Sequence, residues 1–172
     1  MRVSDQALIS AADIAARVAE LGRALTAEYD GRRPLLLGVL KGASLFFADL
    51  VRTLPIELEI DFVQARSYAG TRSTGSVALS RAEDLEVSGR HVIVIEDIVD
   101  TGHTATVLLE RLRGLGPASL ALCTLLDKPS RREVEIHPDY LGFTIENHFV
   151  VGYGLDHEGL YRNLPAVHVM EE

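Results

Sequence analysis

Apolar residues recur at helical spacing in three stretches of the chain, and each set forms one face of a predicted helix. The three faces consist of Ile14, Val18, Leu21 and Leu25, then of Phe47, Leu50, Val51 and Leu54, and finally of Ala105, Leu108, Leu109 and Leu112. Ser10 followed by Asp13 is typical of a capping box at the start of the first helix. Pro55 stops the second helix, and Gly114 marks the end of the third.

Short apolar runs between these helices predict strands. Three runs are apolar almost throughout, which is typical of strands buried on both faces of a parallel sheet, at residues 34–40, 91–95 and 120–126. Residues 56–62 alternate apolar and acidic side chains and predict a strand with one buried face. Further extended segments are predicted at residues 140–145, 149–156 and 166–170. Since strands and helices alternate, we expect an α/β fold with a mostly parallel central sheet flanked by helices.

Composition narrows the class of protein. The 172 residues are 47% hydrophobic and 24% charged, as in ordinary globular proteins, and we expect one domain over residues 1–172. The chain starts without a basic region followed by an apolar core, and no apolar run approaches the ~20 residues of a membrane span. We therefore expect a cytoplasmic protein that binds no membrane. The single cysteine, Cys123, lies in an apolar run and is expected to be a buried structural thiol.

The net charge indicates which kinds of partner the protein can bind. A formal charge of −8 is unfavourable for a nucleic-acid surface, because such binding depends on Lys and Arg side chains that neutralise phosphates. It does not exclude small phosphorylated substrates.

The chemistry is concentrated where the run at residues 91–95 ends at two acids, Glu96 and Asp97. In open α/β sheets ligands bind at the carboxyl ends of the strands, and the next helix offers free N–H groups to an anion. Thr101, Gly102 and Thr104 form a candidate phosphate cradle at that point. Acids beside a phosphate would repel it unless a cation intervenes, so the sequence predicts Mg²⁺ there.

Plainer interpretations stay open for each of these features. Glu96 and Asp97 fit solvated acids at a strand end, and Asp100 fits a helix cap. The Lys41-Gly42 pair at an earlier strand-to-helix junction suits either an anion site or a simple turn. Residues 65–76 are polar and rich in glycine, which predicts either a mobile lid or a plain hairpin loop.

The stretch at residues 91–109, HVIVIEDIVDTGHTATVLL, resembles the phosphoribosyl-pyrophosphate signature of type I phosphoribosyltransferases. In that signature hydrophobic residues precede two acids and a loop similar to D-x-x-D-T-G-x-T. Further segments, in the same order and at similar spacing, resemble the purine phosphoribosyltransferases of the hypoxanthine/guanine type, at residues 40–42, 66–68, 127–129, 149–156 and 161–165. The resemblance implies the type I phosphoribosyltransferase fold, with a small hood formed by the chain ends.

The resemblance also implies an activity in purine salvage. It is the Mg²⁺-dependent transfer of 5-phosphoribosyl from phosphoribosyl pyrophosphate to hypoxanthine and/or guanine, which gives IMP or GMP and pyrophosphate. Breaking the bond from ribose C1 to pyrophosphate builds positive charge on the sugar and negative charge on the leaving group, which acids and Mg²⁺ respectively stabilise. Relatives form dimers or tetramers, so the resemblance implies a homodimer or homotetramer.

Site residues follow from the matching motifs. The residues implied to bind phosphoribosyl pyrophosphate are Lys41, Gly42, Glu96, Asp97, Asp100, Thr101, Gly102, His103, Thr104 and Arg162. Asp100 is similar to the family's general base at the purine N7 proton, a role typically worth about 10² to 10⁴ in rate. Mg²⁺ is implied at Glu96, Asp97 and Asp156.

The purine is implied to bind near the other motifs. Lys128 would donate to the 6-oxo group, Phe149 would stack on the base, and the Val150 backbone together with Asp156 would lie at the edge of the base. In the family the peptide at the position of Leu40–Lys41 is often cis.

Ser67 and Tyr68 would lie on a lid that excludes water from the activated ribose. The chain departs from the family at His103, where many relatives carry another residue. It also departs at residues 146–148, which replace a Pro-Asp-Lys-like run. The ranking of hypoxanthine, guanine and xanthine is left open.

Two rival functions belong to other classes. A pyrimidine-operon regulator on the same fold binds RNA, but such proteins tend to lack an acid at the position of Asp100 and need a basic face, which a charge of −8 disfavours. A non-catalytic nucleotide-sensing module would have little use for Asp100 and Lys128 together.

Overall fold

The computed structural model of the protein describes residues 1–67, 77–80 and 85–171. Its helices are α1 (Ala11–Tyr29), α2 (Ser44–Val51), α3 (His103–Gly114) and a 3₁₀ helix at Pro129–Arg131. Its strands are β1 (Arg2–Ile9), β2 (Leu35–Leu40), β3 (Glu59–Ser67), β4 (Val77–Ser80), β5 (His91–Val99), β6 (Ser119–Asp127), β7 (Tyr140–Thr144), β8 (Val150–Val151) and β9 (Val167–Glu171).

The larger sheet has the strand order β4-β3-β2-β5-β6-β7. Neighbours from β3 to β7 run parallel, and β4 runs antiparallel to β3. From β2 the chain moves to β3 on one side, and from β5 it moves to β6 on the other side. The topological switch point therefore lies between β2 and β5, and in such sheets ligands bind outside the carboxyl ends of the strands at that point.

Two hydrophobic cores cover the two faces of this sheet. Strand β5 contributes to both of them, because Ile93 and Ile95 pack in the core beneath α1 and α2. Val92 and Val94 pack in the core beneath α3. The prediction of a strand buried on both faces is confirmed. At the sheet's outer strand, Arg17 of α1 donates to the carbonyl groups of β7.

The predicted helices are present at close to the predicted positions. The Ser10 side chain accepts a hydrogen bond from the Asp13 backbone N–H at the start of α1, which confirms the capping box. The apolar face predicted for α3 is buried. Helix α2 ends at Val51, earlier than its apolar spacing and Pro55 predict. No helix within the described ranges has both the length and the apolar content to cross a membrane.

A second sheet, of order β1-β9-β8, joins the two ends of the chain. β1 pairs antiparallel with β9, and Arg2 forms an ion pair with Glu171 at 3.0 Å. This sheet is the expected hood. The strand β1 was not predicted, because most of its side chains are exposed or half-buried and show no regular apolar alternation.

Two strand predictions are wrong in their limits. β5 does not end at the acids but continues to Val99, because it stays in register with β6 as far as Asp127. β3 begins at Glu59 rather than at residue 56. Within it Ile60 is 52% exposed and Val63 is buried, so the predicted buried face is wrong at Ile60.

The predicted loop at residues 65–76 is a strand in its first part. β3 continues to Ser67, and its end pairs antiparallel with β4. Residues 68–76 lie outside the described residues.

Candidate active site

A cleft of about 390 Å³ lies at the switch point of the larger sheet. Carboxyl ends of β2 and β5 form its floor, and residues from the turn after β8 close one side. The sequence-predicted residues that line it are Gly42, Glu96, Asp97, Asp100, Thr101, Gly102, Thr104, Asp156 and Arg162. Segments far apart in the sequence therefore meet in one cavity.

The loop between β5 and α3 has the form of an anion site. Gly102 precedes the helix with φ of 92°, in the left-handed region that favours glycine. A Cβ at this position would lie 2.7 Å from Ile136 Cγ2 and 2.9 Å from Val134 Cγ2, so the loop is packed from behind as well. No side chain among the described residues caps α3, which leaves the N–H groups of its first turn to an incoming anion.

Glu96 and Asp97 are acids held in a desolvated position. Glu96 is only 5% exposed, and burial together with the neighbouring Asp97 raises its pKa well above the usual range. Burial raises the pKa of Asp97 to about 6, although the Ile98 and Asp97 backbone N–H groups oppose the change. Desolvated carboxylates that repel each other favour a cation between or beside them.

The turn after β2 approaches these acids closely. The Leu40–Lys41 peptide is cis, as the family resemblance suggests. A Cβ on Gly42 would lie 1.6 Å from Asp97 Oδ2, and a Cβ on Gly154 would lie 2.0 Å from the Gly42 carbonyl oxygen. Only glycine therefore fits at position 42, between the acid and the turn after β8.

Arg162 brings a positive charge to the same cleft. Its Nη2 lies 2.5 Å from Asp156 Oδ1, and its Nη1 donates to the Gly154 carbonyl oxygen at 2.5 Å. The charge of Arg162 lowers the pKa of Asp97 and that of Asp156 raises it. The charges of Asp156 and Arg162 thus both act on the Asp97 carboxyl group.

The acids offer oxygen ligands of the kind that Mg²⁺ prefers. Within the described part of the chain no group of three or more His, Cys, Asp or Glu side chains is placed so that it could hold a metal ion by itself. Mg²⁺ is usually held by one or two carboxylates, with substrate phosphates and water completing the octahedron. The adjacent carboxylates of Glu96 and Asp97, which line the cleft, fit a site of that open kind.

Asp100 lies in the loop at the mouth of the cleft. Its Oδ1 atom is buried and accepts no hydrogen bond from the described residues, although Arg131 Nε lies 3.3 Å away as an ion-pair partner. The Asp100 side chain is 40% exposed, so a ligand can reach its carboxylate. Asp100 can accept a proton or a hydrogen bond from a ligand.

The residues predicted to bind the purine lie beside the cleft rather than in its lining, except for Asp156. Lys128 follows β6 and is only 5% exposed, and burial lowers its pKa while the Asp100 carboxylate opposes the change. Phe149 is 48% exposed, and its ring meets the ring of His157 edge to face at 5.4 Å. Val150 is buried in β8. An exposed aromatic face and a desolvated ammonium group are thus available for a planar ligand.

Other predicted residues lie elsewhere. His103 Nε2 lies 2.8 Å from Glu133 Oε2, outside the cleft lining. Lys41 is exposed and does not line the cleft either. Ser67 is the last residue of β3, and Tyr68 lies outside the described residues.

Comparison with known proteins identifies the family. The model of the phosphoribosyl transferase domain matches residues 6–158. The chain belongs to the phosphoribosyltransferase family. A hypoxanthine-guanine phosphoribosyltransferase of Lactococcus lactis is 48% identical over 97% of this chain and 91% of its own length. A hypoxanthine phosphoribosyltransferase of Salmonella typhimurium is 44% identical over 97% of this chain and 96% of its own.

A solved structure shows the same fold. The crystal structure of a hypoxanthine-guanine phosphoribosyltransferase from Bacillus anthracis matches with a TM-score of 0.93 and 39% identity, and covers 99% of this chain and 100% of that one. The expected fold, the enzyme class and the resemblance to phosphoribosyltransferases of the hypoxanthine/guanine type are therefore confirmed.

Sequence reasoning missed one part of this phosphoribosyltransferase site. Arg131 and Arg132, as two consecutive charged residues, would be expected at the surface, and this expectation is wrong for Arg132. Its side chain is 13% exposed, forms an ion pair with Asp127, and donates from Nη1 to the Asp100 carbonyl oxygen at 3.0 Å. An acid at the end of an apolar strand, five residues before an arginine, was the available signal.

Proposed function

We propose that the protein is a purine salvage enzyme that transfers the 5-phosphoribosyl group of phosphoribosyl pyrophosphate to hypoxanthine and/or guanine. The products are IMP or GMP and pyrophosphate. The observation that carries the proposal is the meeting of two adjacent acids, the buried Glu96 and the half-buried Asp97, with the open N-terminus of α3 in one cleft. The names of the relatives in Lactococcus lactis and Salmonella typhimurium support the choice of base.

Three groups of residues bind different parts of the phosphoribosyl pyrophosphate. The loop of Asp100 to Thr104 and the first turn of α3 hold the 5′-phosphate, with His103 at their outer side. Glu96 and Asp97 face the ribose hydroxyl groups. Lys41, Gly42 and Arg162 hold the pyrophosphate, which suits the positive charge of Arg162 and the close approach of the Gly42 backbone.

Mg²⁺ held at Glu96 and Asp97, and a second Mg²⁺ that Asp156 helps to hold, would together with the substrate stabilise negative charge on the departing pyrophosphate. The raised pKa values of Glu96 and Asp97 support this assignment, because a site that penalises bare carboxylates favours a bound cation.

Asp100 acts as the general base for the proton on the purine N7. The Asp100 carboxylate supports this role, because its side chain lines the cleft, is 40% exposed, and can accept the purine N7 proton. The neighbouring Lys128 donates to the 6-oxo group of the base. Its burial beside Asp100 removes competing water from that contact.

Phe149 stacks on the purine, and the Val150 backbone and Asp156 lie at the edge of the base. The exposure of the Phe149 ring, which packs edge to face against the His157 ring, supports the stacking role. We also propose that Ser67 and Tyr68, the second of which lies outside the described residues, help to exclude water from the ribose during transfer.

We further propose that residues 1–172 form a single phosphoribosyltransferase domain that assembles as a homodimer or homotetramer in the cytoplasm, with no nucleic acid or membrane among its partners. The net charge of −8 disfavours an RNA-binding role. Cys123 is buried without a disulfide, and burial raises its pKa to about 12, which fits an inert structural thiol in a reducing compartment.

The test is nucleotide formation by the purified protein with Mg²⁺ and phosphoribosyl pyrophosphate, offered hypoxanthine, guanine, xanthine or adenine in separate reactions. Product with 6-oxopurines, none with adenine and none without Mg²⁺ is expected. Absence of product with every base, from protein whose folding is verified by circular dichroism, would contradict the proposal. RNA binding would then be measured.

A further inference from the structure

The segment at residues 127–133 holds the phosphate loop along its backbone. Three successive carbonyl groups of the loop accept hydrogen bonds from it, each at 3.0 Å. The Lys128 N–H donates to the Val99 carbonyl and the Glu133 N–H donates to the Thr101 carbonyl. Between them, the Arg132 side chain donates to the carbonyl of Asp100. The phosphate loop and the segment that carries Lys128 are thus bound together residue by residue.

Arg132 is the side chain at the centre of this contact. Its Nη2 forms an ion pair with the buried Asp127 carboxylate, while its Nη1 donates a hydrogen bond to the Asp100 carbonyl oxygen. Its Cδ also lies against Gly102, only 3.1 Å from where a Cβ at that position would be. Burying an ion pair costs free energy unless each charged group keeps its hydrogen-bond partners. A buried ion pair can in return fix one geometry of the segments that it joins. The planar guanidinium presents two nitrogens in a fixed fork to two separate acceptors, whereas a lysine would have to reach both from a single nitrogen.

The position of Arg132 couples two regions. Asp127 immediately precedes Lys128, and the Asp100 carbonyl belongs to the peptide whose N–H is on Thr101, in the phosphate loop. A shift of the guanidinium would therefore move both the loop and the lysine. The exposed neighbour Arg131 differs, because among the described residues its side chain is paired with the Asp100 carboxylate, at 3.3 Å, and not with a carbonyl group of the loop.

We propose that Arg132 is a positioning residue that holds the phosphate loop and the Lys128 segment as one unit, and so couples the phosphoribosyl site to the purine site. The names of the two sites rest on the proposed function. Arg132 itself touches neither substrate. It acts through the backbone of Asp100 and through Asp127.

The test compares Arg132→Lys with Arg23→Lys, a matched change at an exposed arginine of α1. Lysine keeps the positive charge but has one nitrogen for the two acceptors. We expect KM to rise about tenfold for phosphoribosyl pyrophosphate and for hypoxanthine together, as the loss of a charged hydrogen bond predicts. A merely structural role would lower the melting temperature and the active fraction while both KM values stay at the wild-type level, and that result would overturn the proposal.

A second variant, Asp127→Asn, decides the matter if Arg132→Lys does not fold. It keeps Arg132 and the bond to the Asp100 carbonyl but weakens the anchor, so both KM values should rise about threefold. Unchanged KM values in a folded Asp127→Asn protein would overturn the proposal. If the wild type and Arg23→Lys form no nucleotide, the proposed function fails, and this inference fails with it. Turnover in both, with normal KM values in Arg132→Lys, overturns the inference alone.

Discussion

The two ends of the parallel strands differ in how their polar groups are satisfied. At the amino end, where β5, β6 and β7 begin, His91 Nδ1 lies 2.8 Å from Ser119 Oγ, and Tyr29 is hydrogen-bonded to Tyr140 and Ser119. Nearby, the Asp139 carboxylate accepts the Leu122 N–H at 2.8 Å. These polar groups at the amino end find their partners within the protein.

The carboxyl end, where β2, β5 and β6 finish, leaves its charges incompletely satisfied. Glu96 and Asp97 are desolvated beside each other, and Asp100 Oδ1 has an ion pair with Arg131 Nε at 3.3 Å but accepts no hydrogen bond from the described residues. Buried polar groups are normally paired, so unmet ones mark a place where a ligand completes the structure. The difference between the two ends locates function without reference to any relative.

The largest difference is expected when one acid is replaced by its amide at each end of the parallel strands. Asp100→Asn removes the proposed base, so kcat should fall by about 10² to 10⁴ while phosphoribosyl pyrophosphate still binds. Asp139→Asn, at the amino end, keeps an acceptor for the Leu122 N–H and should turn over normally. Steady-state kinetics and calorimetric binding measure both. Wild-type kcat in Asp100→Asn would remove Asp100 as the base.

A glycine pair provides the next test. Gly42→Ala would place a Cβ 1.6 Å from Asp97 Oδ2, so the turn or the acid must move. Displacement of about 1 Å in a catalytic group can cost about 10² in rate, and we expect a loss of kcat/KM of that order. Gly114→Ala is the control, since a Cβ at the end of α3 meets nothing within 4 Å. Activity of Gly42→Ala equal to that of Gly114→Ala would show that the close approach has no function.

A smaller and more selective effect is expected at Lys128. Lys128→Ala removes the donor to the 6-oxo group, so KM for hypoxanthine should rise by about 10 to 10² while KM for phosphoribosyl pyrophosphate changes little. Competition experiments with adenine-type bases provide the comparison. If the variant weakens 6-oxopurines and adenine-type bases equally, Lys128 does not contact O6.

The smallest expected effect is on stability. The pKa of Asp97 is raised from 3.8 to about 6, so the folded protein holds this proton more tightly than the unfolded chain does. Its contribution to stability is present below pH 3.8 and is lost as pH rises through 6. Asp97→Asn should therefore stabilise the ligand-free protein at pH 7.5 by roughly 1 to 2 kcal/mol.

Thermal unfolding between pH 4 and 8 measures this effect in wild type, Asp97→Asn and Asp139→Asn. The gain of Asp97→Asn over wild type should shrink as pH falls below about 6, since the wild-type carboxyl is then protonated. Asp139→Asn should show no such gain. Destabilisation of Asp97→Asn at pH 7.5 would mean that Asp97 is satisfied within the protein.

A structural feature of this protein could be predicted from the sequence where the residues that determine it are close together in the chain. The apolar face of α3 and the doubly buried run of β5 were predictable, because burial imposes a period that can be read from the residues. The end of β5 was not, since Glu96 stays in the ladder through its register with Thr124 of β6. β1 was also missed, because its partner β9 is at the opposite end of the chain.

The same distinction applies to the site. Gly102 and the two threonines follow one strand, and the motif placed them correctly in one cleft. The burial of Arg132 depends on Asp127 and on the Asp100 carbonyl, a partner 32 residues away in the sequence. Contacts of that kind arise from the tertiary structure, and charge alone predicted the opposite exposure.

The most direct measurement of the central claim is a calorimetric titration of phosphoribosyl pyrophosphate into the protein with and without Mg²⁺, repeated with the Glu96→Gln/Asp97→Asn double variant. If the carboxyl end is built for a cation and a phosphorylated ribose, the wild type binds only when Mg²⁺ is present, and the double variant loses most of that binding. Equal affinity without Mg²⁺, or in the double variant, would contradict the account.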